Sequence, residues 1–191
     1  MGIVLTSHSM SLNGFIAQPN GKAGPLHEWL FAGDHPGRHG ETFNLSESSR
    51  EVFDGLVDRL GATIAGRRTY DDSDGWGGKL PFEWPFFIVT HHLPENAAEV
   101  PFTFVTDGVE RAVELAQAAA GDKDVSVMGG DIVRQCLAAG LLDQIEIDLV
   151  PILLGEGVRL FDGLGADPVE VELTRIVEAP GVTHLSFRVA K

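Results

Sequence analysis

Cysteine occurs once in this 191-residue chain, at Cys136. A single thiol excludes an internal disulfide framework. Its place beside Leu137 in a helical apolar pattern predicts a buried structural thiol rather than a nucleophile. Positive charge is also scarce: 14 Lys and Arg stand against 28 Asp and Glu, a net charge of −14. That deficit argues against nucleic acid and anionic membrane as partners, because both are polyanions. No apolar run approaches the ~20 residues of a membrane span. The first residues, MGIVLTSHSM, lack a basic region and a small-residue cleavage site, so no signal peptide is read and a cytoplasmic protein is expected. A metal centre is not expected either. His35 and His39 are four apart, but Pro36, Gly37 and Gly40 among them preclude the helix that would bring them together.

What is present is an ordinary globular composition, 43% hydrophobic with a mean hydropathy of +0.05. The length fits one domain, residues 1–191, with one substantial core. Strands are expected at 3–9, 63–65, 86–90, 102–105, 125–128 and 144–150. Residues 46–60 read as an amphipathic helix with Val52, Phe53, Leu56, Val57 and Leu60 on one face. Residues 107–120 read as a second helix, with a capping box of Asp107 and Glu110 and a stop at Gly121. Residues 18–45 and 71–84 are rich in Gly and Pro and read as loops. Residues 169–178 and 182–189 alternate in polarity and are joined by Pro180 and Gly181, an antiparallel hairpin. Strands alternating with helices, then a terminal hairpin, describe an α/β fold with a mixed, mainly parallel sheet flanked by helices.

The residues that carry chemistry sit where strands give way to helices. The apolar run 125–128 ends at Gly129 and Gly130, and a helical pattern carried by Ile132, Cys136 and Leu137 follows. Adjacent glycines let a ligand approach the backbone, and Gly130 is the position expected to need that closeness. A helix start offers free N–H groups and a partial positive charge suited to phosphate. Asp131, an anion at that start, is expected to cap the helix. A second such joint runs from Thr63–Ala65 into Gly66, Arg67, Arg68 and Thr69. Arg67 and Arg68 are the chain's only adjacent cationic pair. An acidic protein that binds a polyanion must concentrate its positive charge locally, and guanidinium matches phosphate bidentately. The tryptophans Trp29, Trp76 and Trp84 lie in or beside the two long loops, as a substrate wall or as a satellite cluster.

Five segments, SMSLNGFIA at 9–17, GRRTY at 66–70, FIVTHH at 87–92, VMGGDIVRQ at 127–135 and GLLDQIEIDLVPILLGEGVRLF at 140–161, span nearly the whole chain. In this order they resemble the dihydrofolate reductase-like superfamily. The closer resemblance is to the riboflavin-biosynthesis reductase domain, the C-terminal domain of the bifunctional deaminase-reductase, RibD. The resemblance implies NADPH as hydride donor. Gly66, Arg67, Arg68 and Thr69 would hold the 2′-phosphate and pyrophosphate. Thr90 and His91 would lie along the adenosine. Gly129, Gly130, Asp131, Ile132 and Val133 would approach the pyrophosphate and nicotinamide, and Ser9 and Ile16 would flank the nicotinamide. The family activity would be 5-amino-6-(5-phosphoribosylamino)uracil reduction, and a homodimer is implied. The motif around Asn13 and the acid Glu51 mark the substrate side; a pterin reductase would need a carboxylate on the helix before the GRRTY strand, near Arg50 and Glu51, where Glu51 or Glu47 could serve.

The chain departs from that pattern at Met128, Asn13 and Phe15, where the riboflavin reductases usually carry an acidic residue, Asp and often Lys. The expected function is therefore an NADPH-dependent reductase of a small polar heterocyclic or sugar-like substrate. Two alternatives stand beside it, a non-catalytic nucleotide-binding protein of the same fold and a dihydrofolate reductase-type pterin reductase. No residue reads as a general acid, and water is expected to supply the proton. The segment Pro151-Ile152-Leu153-Leu154 and the terminal hairpin are the expected dimer surface, unless residues 18–45 fold over them.

Overall fold

The computed structural model describes residues 2–165 and 167–190. In chain order the strands and helices are β1 (Val4–Ser11), β2 (Phe15–Ala17), β3 (His35–Gly37), β4 (Gly40–Leu45), α1 (Glu47–Arg59), β5 (Leu60–Gly66), α2 (Arg67–Asp72), β6 (Phe86–Val89), β7 (Thr103–Val105), α3 (Val109–Ala120), β8 (Asp124–Met128), α4 (Gly130–Ala138), β9 (Gln144–Val150), β10 (Val158–Arg159), β11 (Val171–Ala179) and β12 (Val182–Val189). Short 3-10 segments cover Gly24–Phe31 and Asp74–Gly78. The main sheet has the order β11-β12-β9-β1-β8-β5-β6-β7. The pairs β1–β8, β8–β5, β5–β6 and β6–β7 are parallel; β9–β12 and β12–β11 are antiparallel. This is the mixed, mainly parallel α/β sheet with a terminal hairpin that the sequence pattern calls for.

The chain divides into two compact units. The first contains residues 60–143 and the opening residues of β1. Its strands are near-continuous apolar runs because helices pack on them: Ala62, Ile64, Val125, Val127 and Ile88 are buried, and α3 and α4 both pack against β5 and β8. On β6 stands a cluster of Tyr70, Phe86 and Phe102 with Trp76, Phe104 and a stacked Phe82–Trp84 pair. Trp76 and Trp84 thus belong to a satellite core under a loop, with the Trp84 indole donating to Thr63 Oγ1. Two expectations fail here. Residues 71–84 are not plain loop: Asp74, Gly75, Trp76, Gly77 and Gly78 all have positive φ, a left-handed turn that L-residues rarely enter. Nor does α3 begin with a capping box. It starts at Val109 behind Gly108, at φ 96°, and no side chain caps it; its Gly121 stop forms as expected, at φ 64°.

The second unit contains residues 7–59 and 144–190. Residues 18–45, expected as loop, hold the Gly24–Phe31 segment and the β3–β4 hairpin. Leu26, Trp29, Leu30 and Leu45 form a core with Val150 and Val182, and Ile152 and Leu154 pack against it. Helix α1 buries Val57 as its pattern requires, but it also buries Asp54 and Ser49, while Leu60 opens β5 instead of ending the helix. Asp54 is buried because Arg38, from the β3–β4 turn, reaches it through both its backbone N–H and Nε. Arg38 and His39 also bind Asp58 one turn on. His39 thus acts as a clasp on the hairpin.

Candidate functional site

In the first unit, β5 and β8 are parallel neighbours, with Ala65 opposite Met128. Each strand runs directly into a helix, β5 into α2 and β8 into α4. Two helix starts therefore stand side by side at the same ends of adjacent parallel strands, the place where open α/β sheets bind ligands. The joints are in contact. A Cβ added at Gly129 would lie 2.5 Å from Thr69 Oγ1, and one at Gly66 would lie 3.0 Å from Ile132 Cγ1. Gly129 also has φ 93°, so both its conformation and its surroundings require glycine. The glycine that the backbone path demands is thus Gly129; Gly130 is the first helical residue. Ile132 and Val133 are buried in the core, and the Val133 N–H already donates to the Gly129 carbonyl at 3.1 Å, so Val133 offers a ligand neither its side chain nor its N–H.

Arg67 is held in place. Its Nε donates to Asp71 at 2.8 Å and its Nη1 to the His92 carbonyl at 3.0 Å. Arg68 is 68% exposed and only loosely paired with Asp72, at 3.5 Å. Thr90 follows β6: its hydroxyl donates to the His92 carbonyl and accepts from the His92 N–H, a turn that fixes the exposed His91 and His92. Asp131 does not cap α4. Its carboxylate turns along the helix to Arg134 and Gln135, which neutralises it and leaves the first N–H groups of α4 without a side-chain cap. Cys136 is buried as expected, and desolvation pushes its thiol up to about 12.

The remaining expected residues lie in the second unit. Ser9 is a buried member of β1, and Ile16 lies in β2. Asn13 is built into the backbone: its amide nitrogen donates to the Leu154 carbonyl at 2.6 Å, and its oxygen accepts from the Leu154 N–H and the Ser11 hydroxyl. Phe15 is buried with the Arg159 guanidinium 4.4 Å from its ring centre. Glu51 is exposed on α1, whereas Ser49 is the buried polar residue of that helix's first turns. Sequence reasoning missed Ser49, Asp148 and His184. They are far apart in the chain and carry no motif, and only the register of β12 on β9 brings His184 opposite Asp148. It also missed His8, whose imidazole is driven down to about 4 by burial and by His27.

Three kinds of comparison place this geometry among known proteins. The solved structures include a provisionally assigned riboflavin biosynthesis protein from Shewanella sp. PV-4, similar with a TM-score of 0.74 at 21% identity over 99% of both chains. They also include the Thermotoga maritima diaminohydroxyphosphoribosylaminopyrimidine deaminase/5-amino-6-(5-phosphoribosylamino)uracil reductase, with a TM-score of 0.65 at 13% identity, covering 99% of this chain and 57% of that one. At these identities the likeness establishes the fold. Among curated proteins, the uncharacterized protein YwjB of Bacillus subtilis (strain 168) is 21% identical over 156 residues, 82% of this chain and 80% of that one. The family model of the RibD C-terminal domain matches residues 3–185. The chain belongs to the RibD C-terminal domain family, whose members are reductase-like.

Proposed function

We propose that this protein is an NADPH-dependent reductase that passes hydride to a small polar heterocyclic or sugar-like acceptor. The observation that carries this reading is the contact between the two glycine-led helix starts at β5 and β8, beside the chain's one adjacent cationic pair. Bound NADPH would supply a hydride from its nicotinamide. Arg67, Arg68, Gly66 and Thr69 would hold the 2′-phosphate and pyrophosphate, with Arg67 already oriented by Asp71 and Arg68 free to close on the ligand. The backbone N–H groups of Gly130, Asp131 and Ile132 would serve the remaining phosphate oxygens, and Gly129 would allow their approach, while the Val133 N–H is held within the helix by the Gly129 carbonyl. Thr90 and His91 would border the adenosine. In the second unit, Ser9 and Ile16 are the residues assigned to the nicotinamide. The chain's own contribution is alignment of donor and acceptor, with the proton drawn from water.

The identity of the acceptor is a separate matter. The family activity, reduction of 5-amino-6-(5-phosphoribosylamino)uracil, relies on polar groups where this chain has Met128, Asn13 and Phe15. Here Met128 packs against the aromatic cluster, Asn13 braces Leu154 and Phe15 underlies Arg159. All three are structural, which favours a different heterocycle and supports a second reading, a nucleotide-binding protein without turnover. Exposed Glu51 gives little support to a pterin reductase. NADPH oxidation measured against carbonyl, pterin and flavin-precursor acceptors separates these readings: turnover on any of them sinks the non-catalytic one. Cofactor choice is tested by replacing Arg67 and Arg68 with Ala. NADPH binding should weaken by about 1.5–3 kcal/mol while NADH binding changes little. Equal affinities for the two cofactors before and after the change would remove the assignment of this joint.

We also propose a cytoplasmic homodimer. No described helix is long and apolar enough to cross a membrane. The bulge at Thr174 brings Val171, Leu173 and Ile176 to one face of the hairpin, opposite Val189, Phe187 and Leu185. This apolar face is substantially exposed, Ile176 by 54%. Ile152 and Leu154 turn into the core with residues 18–45, so the hairpin, with Leu153, is the surface left for pairing.

A further inference from the structure

Two segments of the chain pair asparagine with glycine, Asn13-Gly14 and Asn20-Gly21. Such a pair carries its own chemistry. Glycine has no Cβ to shield its nitrogen, which can attack the carbonyl carbon of the preceding asparagine side chain. The new N–C bond closes a succinimide ring, and ammonia leaves with the proton that the glycine nitrogen gives up. Water then opens the ring at either carbonyl. Cleavage at the side-chain carbonyl leaves aspartate. Cleavage at the main-chain carbonyl leaves isoaspartate, in which the backbone runs through the side-chain carbons. Water is the only co-reactant, and nothing is oxidised or reduced.

The two pairs sit in matching turns. Gly14 has φ 90° and donates its N–H to the Ser11 carbonyl at 2.9 Å; Gly21 has φ 79° and donates to the Gln18 carbonyl at 2.9 Å. The carboxamides differ. Asn13 is half-buried and held at both ends: its nitrogen donates to the Leu154 carbonyl at 2.6 Å, and its oxygen accepts from the Leu154 N–H at 3.1 Å and the Ser11 hydroxyl at 2.9 Å. Swinging its carbonyl carbon onto Gly14 breaks all of these bonds. Asn20 is exposed, and among the described residues its partner is the Lys22 N–H, which its oxygen accepts at 3.0 Å. Solvent replaces that bond at little cost. The turn around Asn20 closes from the Gln18 N–H to the Lys22 carbonyl at 2.9 Å and leads into the Gly24–Phe31 segment, which carries Leu26, Trp29 and Leu30 into the core of the second unit. An isoaspartate at position 20 adds a main-chain carbon inside that closure.

We infer that Asn20-Gly21 is a self-modification site of the folded protein, losing ammonia to become isoaspartate and aspartate, while Leu154 and Ser11 keep Asn13-Gly14 unreacted. The inference is independent of the cofactor reading. It is tested by holding the folded wild-type protein for days in mildly alkaline buffer. Proteolytic fragments are then weighed, and isoaspartate is read by methyl transfer from a protein L-isoaspartyl methyltransferase. The fragment with Asn20 should gain the mass of an amide turned to an acid, and accept methyl groups. It should do so more than about tenfold faster than the fragment with Asn13, the ratio that an opening cost of about 1.4 kcal/mol imposes. In urea, where both carboxamides are released, the two should convert at similar rates. Asn20→Gln should silence the first fragment in the folded protein. Equal rates for the two fragments in the folded protein would overturn the inference. So would an Asn20 fragment that stays unmodified while its urea-treated counterpart converts, or a gap between the fragments that persists in urea.

Discussion

Gly129 shows how much a single residue decides. The GG pair is plain in the sequence, and so is its place between an apolar run and a helix. Which glycine bears the constraint is not, because that depends on Thr69, sixty positions away on another helix start. The structure answers it: an L-residue at 129 meets a φ of 93° and an oxygen 2.5 Å from its Cβ. Gly129→Ala should lower unfolding stability by more than about 1 kcal/mol and weaken NADPH, with Thr69→Ala restoring part of the stability. Equal denaturation midpoints for wild type and Gly129→Ala would show that the joint is not constrained. The substrate-side residues were less legible for the same reason. Asn13 looks like a free polar group in sequence, and only its pairing with Leu154, 141 positions away, shows that its amide is engaged.

At the scale of elements, the eight strands of the main sheet and the helices α1, α3 and α4 followed from periodicity, because their burial is set by local alternation, whereas the short strands β2, β3, β4 and β10 did not. The misreading of residues 18–45 has a different cause. Residues 18–45 look like loop from their Gly and Pro content, yet the β3–β4 hairpin is anchored on α1 through Arg38, Asp54 and Asp58. No local pattern announces that anchor. It also explains why Asp54, an acid on an amphipathic helix, faces inward. The clasp has a pH dependence. Hydrogen bonds from His39 and Arg38 hold the Asp58 carboxyl below its ordinary range. A carboxylate depressed in the folded state contributes stability at neutral pH, and that contribution is lost as the pH falls from the ordinary carboxylate range through its own lower value. Proteolysis within residues 35–45 should therefore quicken on acidification, and Asp58→Asn should be fast already at neutral pH. Cleavage there that is slow and flat with pH in both proteins would count against the clasp. The left-handed turn at Asp74–Gly78 was illegible for another reason: Gly75, Gly77 and Gly78 hint at it, but Asp74 and Trp76 enter the same region without a glycine's freedom.

For the whole molecule, the exposed apolar face of the hairpin makes a prediction about mass. The chain is 20.5 kDa, so light scattering should give about twice that value at micromolar concentration. Leu173→Asp with Ile176→Asp should return it to the monomer, while Leu153→Asp alone should do less, since its neighbours Ile152 and Leu154 are turned inward. A monomeric wild type ends the proposal, and a dimer that survives the double change moves its interface elsewhere. Such experiments have a convenient background. The one thiol, Cys136, is sealed in α4 and so reluctant to ionise that alkylating reagents should pass it by. To maleimide chemistry the folded protein is blank. A cysteine introduced at position 153, 173 or 176 would then be the sole handle on the molecule, so one dye, spin label or crosslinker would report on that spot alone, without first removing a native residue.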